Sequence, residues 1–174
     1  GYNMSGGAIE TTDRDLDIAV QGDGFIAVND RDGNEAYTRM GSLMVGADGV
    51  LRTQNGLDVL DEDGTQIILP PMLEAVHISD DGMISGRPQG AATNVLENYQ
   101  RIKLVNPESY KDIEKGYDGL FRLRDGTSLA QDQTVKVRSG MLEGSNVNPV
   151  EELTSLIRIQ RQYDTTVKLI DEAG

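Results

Sequence analysis

The chain has 174 residues with 29 acidic against 16 basic side chains, a net charge of −13, and that balance repels phosphate backbones and anionic membrane surfaces, so nucleic acid is excluded as a partner class. It contains no Cys, no Trp and two Phe, which removes disulfide frameworks, thiolate zinc sites and nearly all of the aromatic platforms that stack bases or sugars. No apolar run approaches the roughly 18 residues of a membrane span, and residues 1–10 carry neither a basic nor an apolar secretory region, so membrane insertion is not expected.

From Leu16 to about Gly140 the hydrophobic period is two. Leu16, Ile18 and Val20 alternate with Asp15, Asp17 and Ala19; Ile102 and Leu104 with Arg101 and Lys103; Phe121 and Leu123 with Arg122 and Arg124; Val135 and Val137 with Lys136 and Arg138. Each run reads as a strand with one wet face. Between the runs stand Asp23-Gly24, Asp32-Gly33, Asp48-Gly49, Asn55-Gly56, Asp63-Gly64, Asp81-Gly82, Asp118-Gly119 and Asp125-Gly126, dipeptides that tolerate the positive φ of hairpin turns. Such turns without intervening helical patterns predict antiparallel β structure, a meander, barrel or sandwich, and argue against βαβ units.

Ile67 to Gly90 runs through Pro70-Pro71, which edges a sheet or crosses between lobes, to a strand over 75–79 carrying the only histidine, His77. Asn94 to Tyr99 reads as a connection, and Asn106-Pro107-Glu108-Ser109 with Tyr110, Ile113 and Lys115 as one helical turn or two. No internal repeat of fixed length stands out.

The end of the chain is different. Asn148 is a good N-cap, Pro149 suits the first helical position, and Glu151 completes a capping-box-like start. Leu153, Leu156, Gln160, Tyr163, Val167 and Ile170 then recur at steps of three and four, one stripe that matches a heptad seam with Gln160 as its polar member. Such a helix either lies on its own domain or packs between chains; the additional Ile157, Ile159 and Leu169 favour the second reading. The fold class expected is therefore mainly β, an antiparallel body with one long C-terminal α-helix.

Several chemistries fail on spacing. Gly33 as the glycine of a calcium loop places Asp30 and Asp32 correctly but Val28 where the first ligand belongs, and Gly64 places Val59 there. A lone His77 is no zinc set. No nucleophile elbow accompanies it, and Gly22-Asp23-Gly24 leads into another strand instead of a phosphate-binding helix. A glycosidase-type carboxylate pair stays open, although no Trp lines a sugar cleft. No catalytic residue, metal or cofactor is expected.

Three blocks together carry a resemblance: Leu16-Asp17-Ile18-Ala19-Val20-Gln21-Gly22-Asp23-Gly24-Phe25-Ile26-Ala27-Val28, then Tyr37-Thr38-Arg39-Met40-Gly41-Ser42-Leu43 with Asp48-Gly49, and Leu142-Glu143-Gly144-Ser145-Asn146-Val147. They resemble the rod and hook proteins of the bacterial flagellum over about Leu16 to Ile170. Gly119-Leu120-Phe121-Arg122-Leu123 and Arg101-Ile102-Lys103-Leu104-Val105 lie nearer to the proximal-rod members, with distal-rod members next. The resemblance implies a non-enzymatic structural subunit of the periplasmic rod, exported by the flagellar type III apparatus without a cleaved signal. It implies other rod subunits and copies of itself as partners. Residues 1–143 would be a β-rich outer domain, and 144–174 the start of an axial assembly helix with Leu153, Leu156, Gln160, Tyr163, Val167 and Ile170 at its interface. Members pair that helix with an N-terminal one that is not in this sequence, so a truncated, monomeric fragment is expected. Outside the family, the competing classes are a carbohydrate-binding or carbohydrate-processing β protein and a calcium-dependent adhesin module.

Overall fold

The computed structural model describes residues 7–144, and its architecture grows out of one repeated turn. At six places, starting at Asp30, Gly46, Thr53, Asp61, Ser79 and Gly116, a residue's amide donates to the carbonyl four residues ahead while the glycine amide three ahead donates back to its carbonyl. This is a type I turn closed by a left-handed glycine, the three-residue hairpin loop. The glycines of all eight turn dipeptides have positive φ, as their chemistry predicts. The acidic side chains serve the turns: Asp30 Oδ1 accepts from the amides of Asp32 and Asn34, and Asp61 Oδ1 from those of Asp63 and Thr65.

These turns connect short antiparallel strands. β1 (Ile9–Thr11) and β2 (Ile18–Gln21) precede the hairpin of β3 (Phe25–Asn29) and β4 (Glu35–Thr38); β5 (Leu43–Val45) pairs with β6 (Leu51–Thr53). β7 (Glu74–Ile78), β8 (Met83–Arg87) and β9 (Glu97–Arg101) form a three-stranded sheet. β10 (Leu104–Val105), β11 (Ile113–Lys115) and β12 (Phe121–Leu123) join the first hairpin in a five-stranded sheet of order β10-β3-β4-β12-β11. β13 (Lys136–Ser139) then pairs with β2, and β14 (Met141–Glu143) with β1.

β3 divides the interior. Ile26 and Val28 enter the main core with Ile18, Leu51, Val59, Ile84 and Leu104. Phe25 and Ala27 enter a smaller cluster with Tyr37, Leu60, Val105 and Ile113, where Phe25 and Phe121 have ring centroids 5.1 Å apart. The alternation of one strand thus builds two cores, one on each face.

Three expectations are corrected. The fold class with one long C-terminal α-helix does not stand: among the described residues the only helical element is a single 3-10 turn, Tyr110–Asp112, capped by Ser109. The period-two pattern and closely spaced turns leave no room for a longer one, and the strands close both cores by themselves; residues 145–174, on which that helix was placed, lie outside the described residues. The uniform wet face also fails. Ile18, Ala19 and Val20 of β2 are all buried, and so is Lys103 just before β10, where its ammonium pairs with Glu35. Finally, 97–101 is strand β9 rather than connection, its polar residues paired with β8 by tertiary context. The strand around His77 is β7, and His77 is exposed on it.

Candidate functional site

The three blocks that carry the resemblance meet in space. Arg39 follows β4 directly, and β3–β4 pairing turns it toward the loop after β2. Its Nη1 donates to the carbonyls of Gly22 and Gly24 at 2.9 and 2.8 Å. Nη2 donates to the Val20 carbonyl at 3.3 Å and to Glu143 Oε1 at 2.6 Å, and Nε to Glu143 Oε2 at 2.9 Å. All five guanidinium N–H groups are therefore engaged, two of them in a bidentate fork to the last residue of β14. The pair is mostly buried, with 13% of the Arg39 and 8% of the Glu143 side chain exposed.

A second tie lies beside it. Asp17 is buried, and its Oδ1 accepts from Ser42 Oγ at 3.2 Å and Arg14 Nη1 at 3.1 Å, while its carbonyl accepts from the Gly140 amide at 2.8 Å. Gly41 lets the block between these ties pass: a Cβ there would stand 1.7 Å from the Ile18 carbonyl oxygen. Together the ties fix the β13–β14 corner on β2. β1 lies along β14 with Ile9 opposite Glu143, and the Gly144 amide donates to the Ala8 carbonyl at 2.6 Å. The described chain consequently enters and leaves the body at one point, clamped by Arg39.

Other charges form pairs as well. Lys103 Nζ lies 2.9 Å from Glu35, which accepts from the Tyr37 hydroxyl at 2.6 Å; that hydroxyl in turn accepts from the Leu129 amide at 2.6 Å. Burial, and then the Glu35 hydrogen bond, push the Tyr37 phenol well above its ordinary range. Arg52 bridges Asp48 and Asp58, and Arg122 bridges Asp118 and Asp30. These groups hold turns to strands; none is arranged as a nucleophile with its base.

The sequence residues Leu153, Leu156, Gln160, Tyr163, Val167 and Ile170 lie outside the described residues. Sequence reasoning gave Arg39, Glu143 and Asp17 no role, although each falls inside a block it quoted. It also missed a repeated motif. Gly46-Ala47-Asp48-Gly49-Val50-Leu51-Arg52 and Gly116-Tyr117-Asp118-Gly119-Leu120-Phe121-Arg122 are the same hairpin, each with its Asp–Arg pair closed at 2.7 and 2.6 Å. The spacing Gly-x-Asp-Gly-x-x-Arg was the available signal.

Comparison with known proteins places these residues in a family. Residues 19–86 match the flagellar hook protein FlgE/F/G D1 domain, and residues 138–174 match the flagellar basal body rod FlgEFG protein C-terminal family. These two matches place the chain among the flagellar hook and rod proteins. The chain is 39% identical to flagellar basal-body rod protein FlgF of Salmonella typhimurium, over 98% of this chain and 68% of that protein. With FlgF of Escherichia coli it shares 39% identity over 100% of this chain and 72% of that protein, and with FlgG of Bacillus subtilis 32% over 94% and 63%. The chain belongs to the FlgF family of flagellar basal-body rod proteins, a family of structural proteins, and it is not an enzyme. Arg39 lies within the first matched region and Glu143 within the second, so the clamp joins the two.

Proposed function

We propose that the protein is a structural subunit of the bacterial flagellar basal-body rod, an FlgF-type proximal-rod component in the periplasm that assembles with other rod subunits and with copies of itself for motility. The observation that carries this reading is the Arg39–Glu143 fork, which joins the D1-type body to the C-terminal family segment where both described chain ends emerge. A subunit built into a rod needs that joint to be stiff, and a buried bidentate pair with three further carbonyl contacts is a stiff joint. We further assign residues 1–143 to the outer rod domain and 144–174 to the assembly segment, with Leu153, Leu156, Gln160, Tyr163, Val167 and Ile170 as its contacts. Their apolar stripe is the support for that assignment.

The test is complementation in a flagellated bacterium that lacks its own FlgF. The protein is expected to restore swimming and to co-purify with basal bodies. Leu156→Asp, which sets a carboxylate in the contact stripe, is expected to abolish both. Undiminished swimming by Leu156→Asp would remove the interface assignment, and absence of the unsubstituted protein from basal bodies would remove the rod reading.

A further inference from the structure

One asparagine of the chain stands directly before a glycine, Asn55 before Gly56. It takes the third position of the hairpin turn that starts at Thr53, where the five other turns of that type carry aspartate: Asp32, Asp48, Asp63, Asp81 and Asp118. The turn itself therefore does not require the amide. Nor is Asn55 held as its counterparts are. Val50 and Leu120 donate their amides to Asp48 and Asp118 at 3.2 and 3.1 Å, whereas the corresponding Leu57 amide donates to Thr53 Oγ1 at 3.1 Å. The Thr53 hydroxyl, on a side chain buried to 1% exposure, in turn donates to Asn55 Oδ1.

A donor fixed on a carbonyl oxygen makes the carbon more electrophilic and stabilises the oxyanion that forms when a nucleophile adds. The nearest nucleophile is the next residue's nitrogen. Gly56 has a φ of 88° and open space where a Cβ would stand, so no side chain crowds the approach of that nitrogen to Asn55 Cγ. Its N–H donates to the Thr53 carbonyl at 2.9 Å, a bond the reaction must open. Asn55 and Gly56 are both exposed at the tip, and opening that bond disturbs no core contact.

We propose that Asn55 is a site of intrachain covalent modification, converting to aspartate through a cyclic imide while the Thr53 hydroxyl holds the oxyanion. Hydroxide takes the Gly56 N–H proton and the nitrogen bonds to Asn55 Cγ. The Cγ–Nδ2 bond then breaks, and Nδ2 takes a proton from water and leaves as ammonia. Water opens the imide at either carbonyl, so water is consumed, ammonia is released, and no oxidant or reductant takes part. One opening gives aspartate, the residue of the five related turns. The other routes the main chain through Cβ, and the lengthened turn cannot close as before. Either product adds a carboxylate beside Arg31, whose Nη2 already donates to the Asn55 carbonyl at 3.4 Å.

The test follows the full 174-residue chain through incubation in mildly alkaline buffer, with peptide mapping by mass. Conversion is expected at Asn55 ahead of Asn29, Asn34, Asn94 and Asn98, faster as the pH rises. Thr53→Val, which removes the donor, is expected to slow it about tenfold, and Thr53→Ser, which keeps the hydroxyl, to leave it unchanged. In urea, where the turn is gone, all three chains are expected to convert at one rate, which separates activation by the fold from an effect of sequence alone. An Asn55→Asp chain is expected to keep the urea midpoint of the unsubstituted protein. No conversion at Asn55 in the folded chain would overturn the proposal. So would a folded Thr53→Val chain that converts as fast as the unsubstituted one, or a Thr53→Ser chain that has lost the rate.

Discussion

Arg39 directs five N–H groups at five oxygens, and three of those oxygens are main-chain carbonyls of Val20, Gly22 and Gly24. A lysine carries the same charge but has one nitrogen, so it cannot reach Glu143 and the loop together. Arg39→Lys is expected to destabilise the chain by about 2 kcal/mol in urea unfolding, the scale of charge-assisted hydrogen bonds lost without loss of charge. Gly41→Ala acts by crowding. Its Cβ would meet the Ile18 backbone and not a movable side-chain end, so a loss of about 3 kcal/mol is expected in the same assay. The aspartates of the turns set the acid response. Hydrogen bonds from Arg122 hold Asp118 at about 2, overcoming burial that pushes it up; for Asp30 burial also pushes up, and Arg122 with the Asn34 and Asp32 amides carries it lower. An unfolded aspartate titrates near about 3.9. Both carboxyls are depressed in the folded state, so their stabilisation is present above the unfolded value and is lost as the pH falls toward the folded one, which for Asp118 is about 2. Urea midpoints should therefore be insensitive to these groups from neutral pH to about 4 and drop below it, and Asp118→Asn should flatten part of that drop.

At the scale of elements, the hairpin turns were legible in the sequence and the sheets were not. A turn is local: Asp or Asn before Gly states its φ within two residues, and every one of the eight glycines complies. Strand partners are distant, and β1 with β14 or β12 with β4 carries no local mark of its pairing. Lys103 shows the same limit, since its alternation with Ile102 and Leu104 reads as exposure until Glu35 is placed over it. The twin hairpins offer an internal control on how context changes one turn residue. Gly49 and Gly119 have φ of 82° and 83°, but a Cβ at Gly119 would meet nothing within 4 Å, while one at Gly49 would lie 2.7 Å from the Leu69 carbonyl oxygen. Gly119→Ala is expected to cost about 1 kcal/mol of backbone strain. Gly49→Ala should cost more by thermal unfolding, because the main chain at Leu69 must shift as well. Equal losses would mean that the main chain at Leu69 yields freely.

For the whole molecule, the blocks that resemble flagellar rod proteins have a common physical purpose. They supply the loop that Arg39 grips, Arg39 with the glycine that lets its strand pass, and Glu143 at the chain's exit. That purpose was hidden in the sequence because Arg39 and Glu143 are 104 positions apart and neither is unusual alone. The clamp makes the β body and the strand pair β1–β14 one mechanical unit. Amide hydrogen exchange on the full chain tests this claim most directly, comparing the unsubstituted protein with Arg39→Lys. The expected result is faster exchange confined to Ile9–Thr11 and Met141–Gly144, with protection of Ile26, Val28, Leu51 and Ile84 kept. Unchanged exchange in β1 and β14, or equal loss of protection in the core strands, would contradict it.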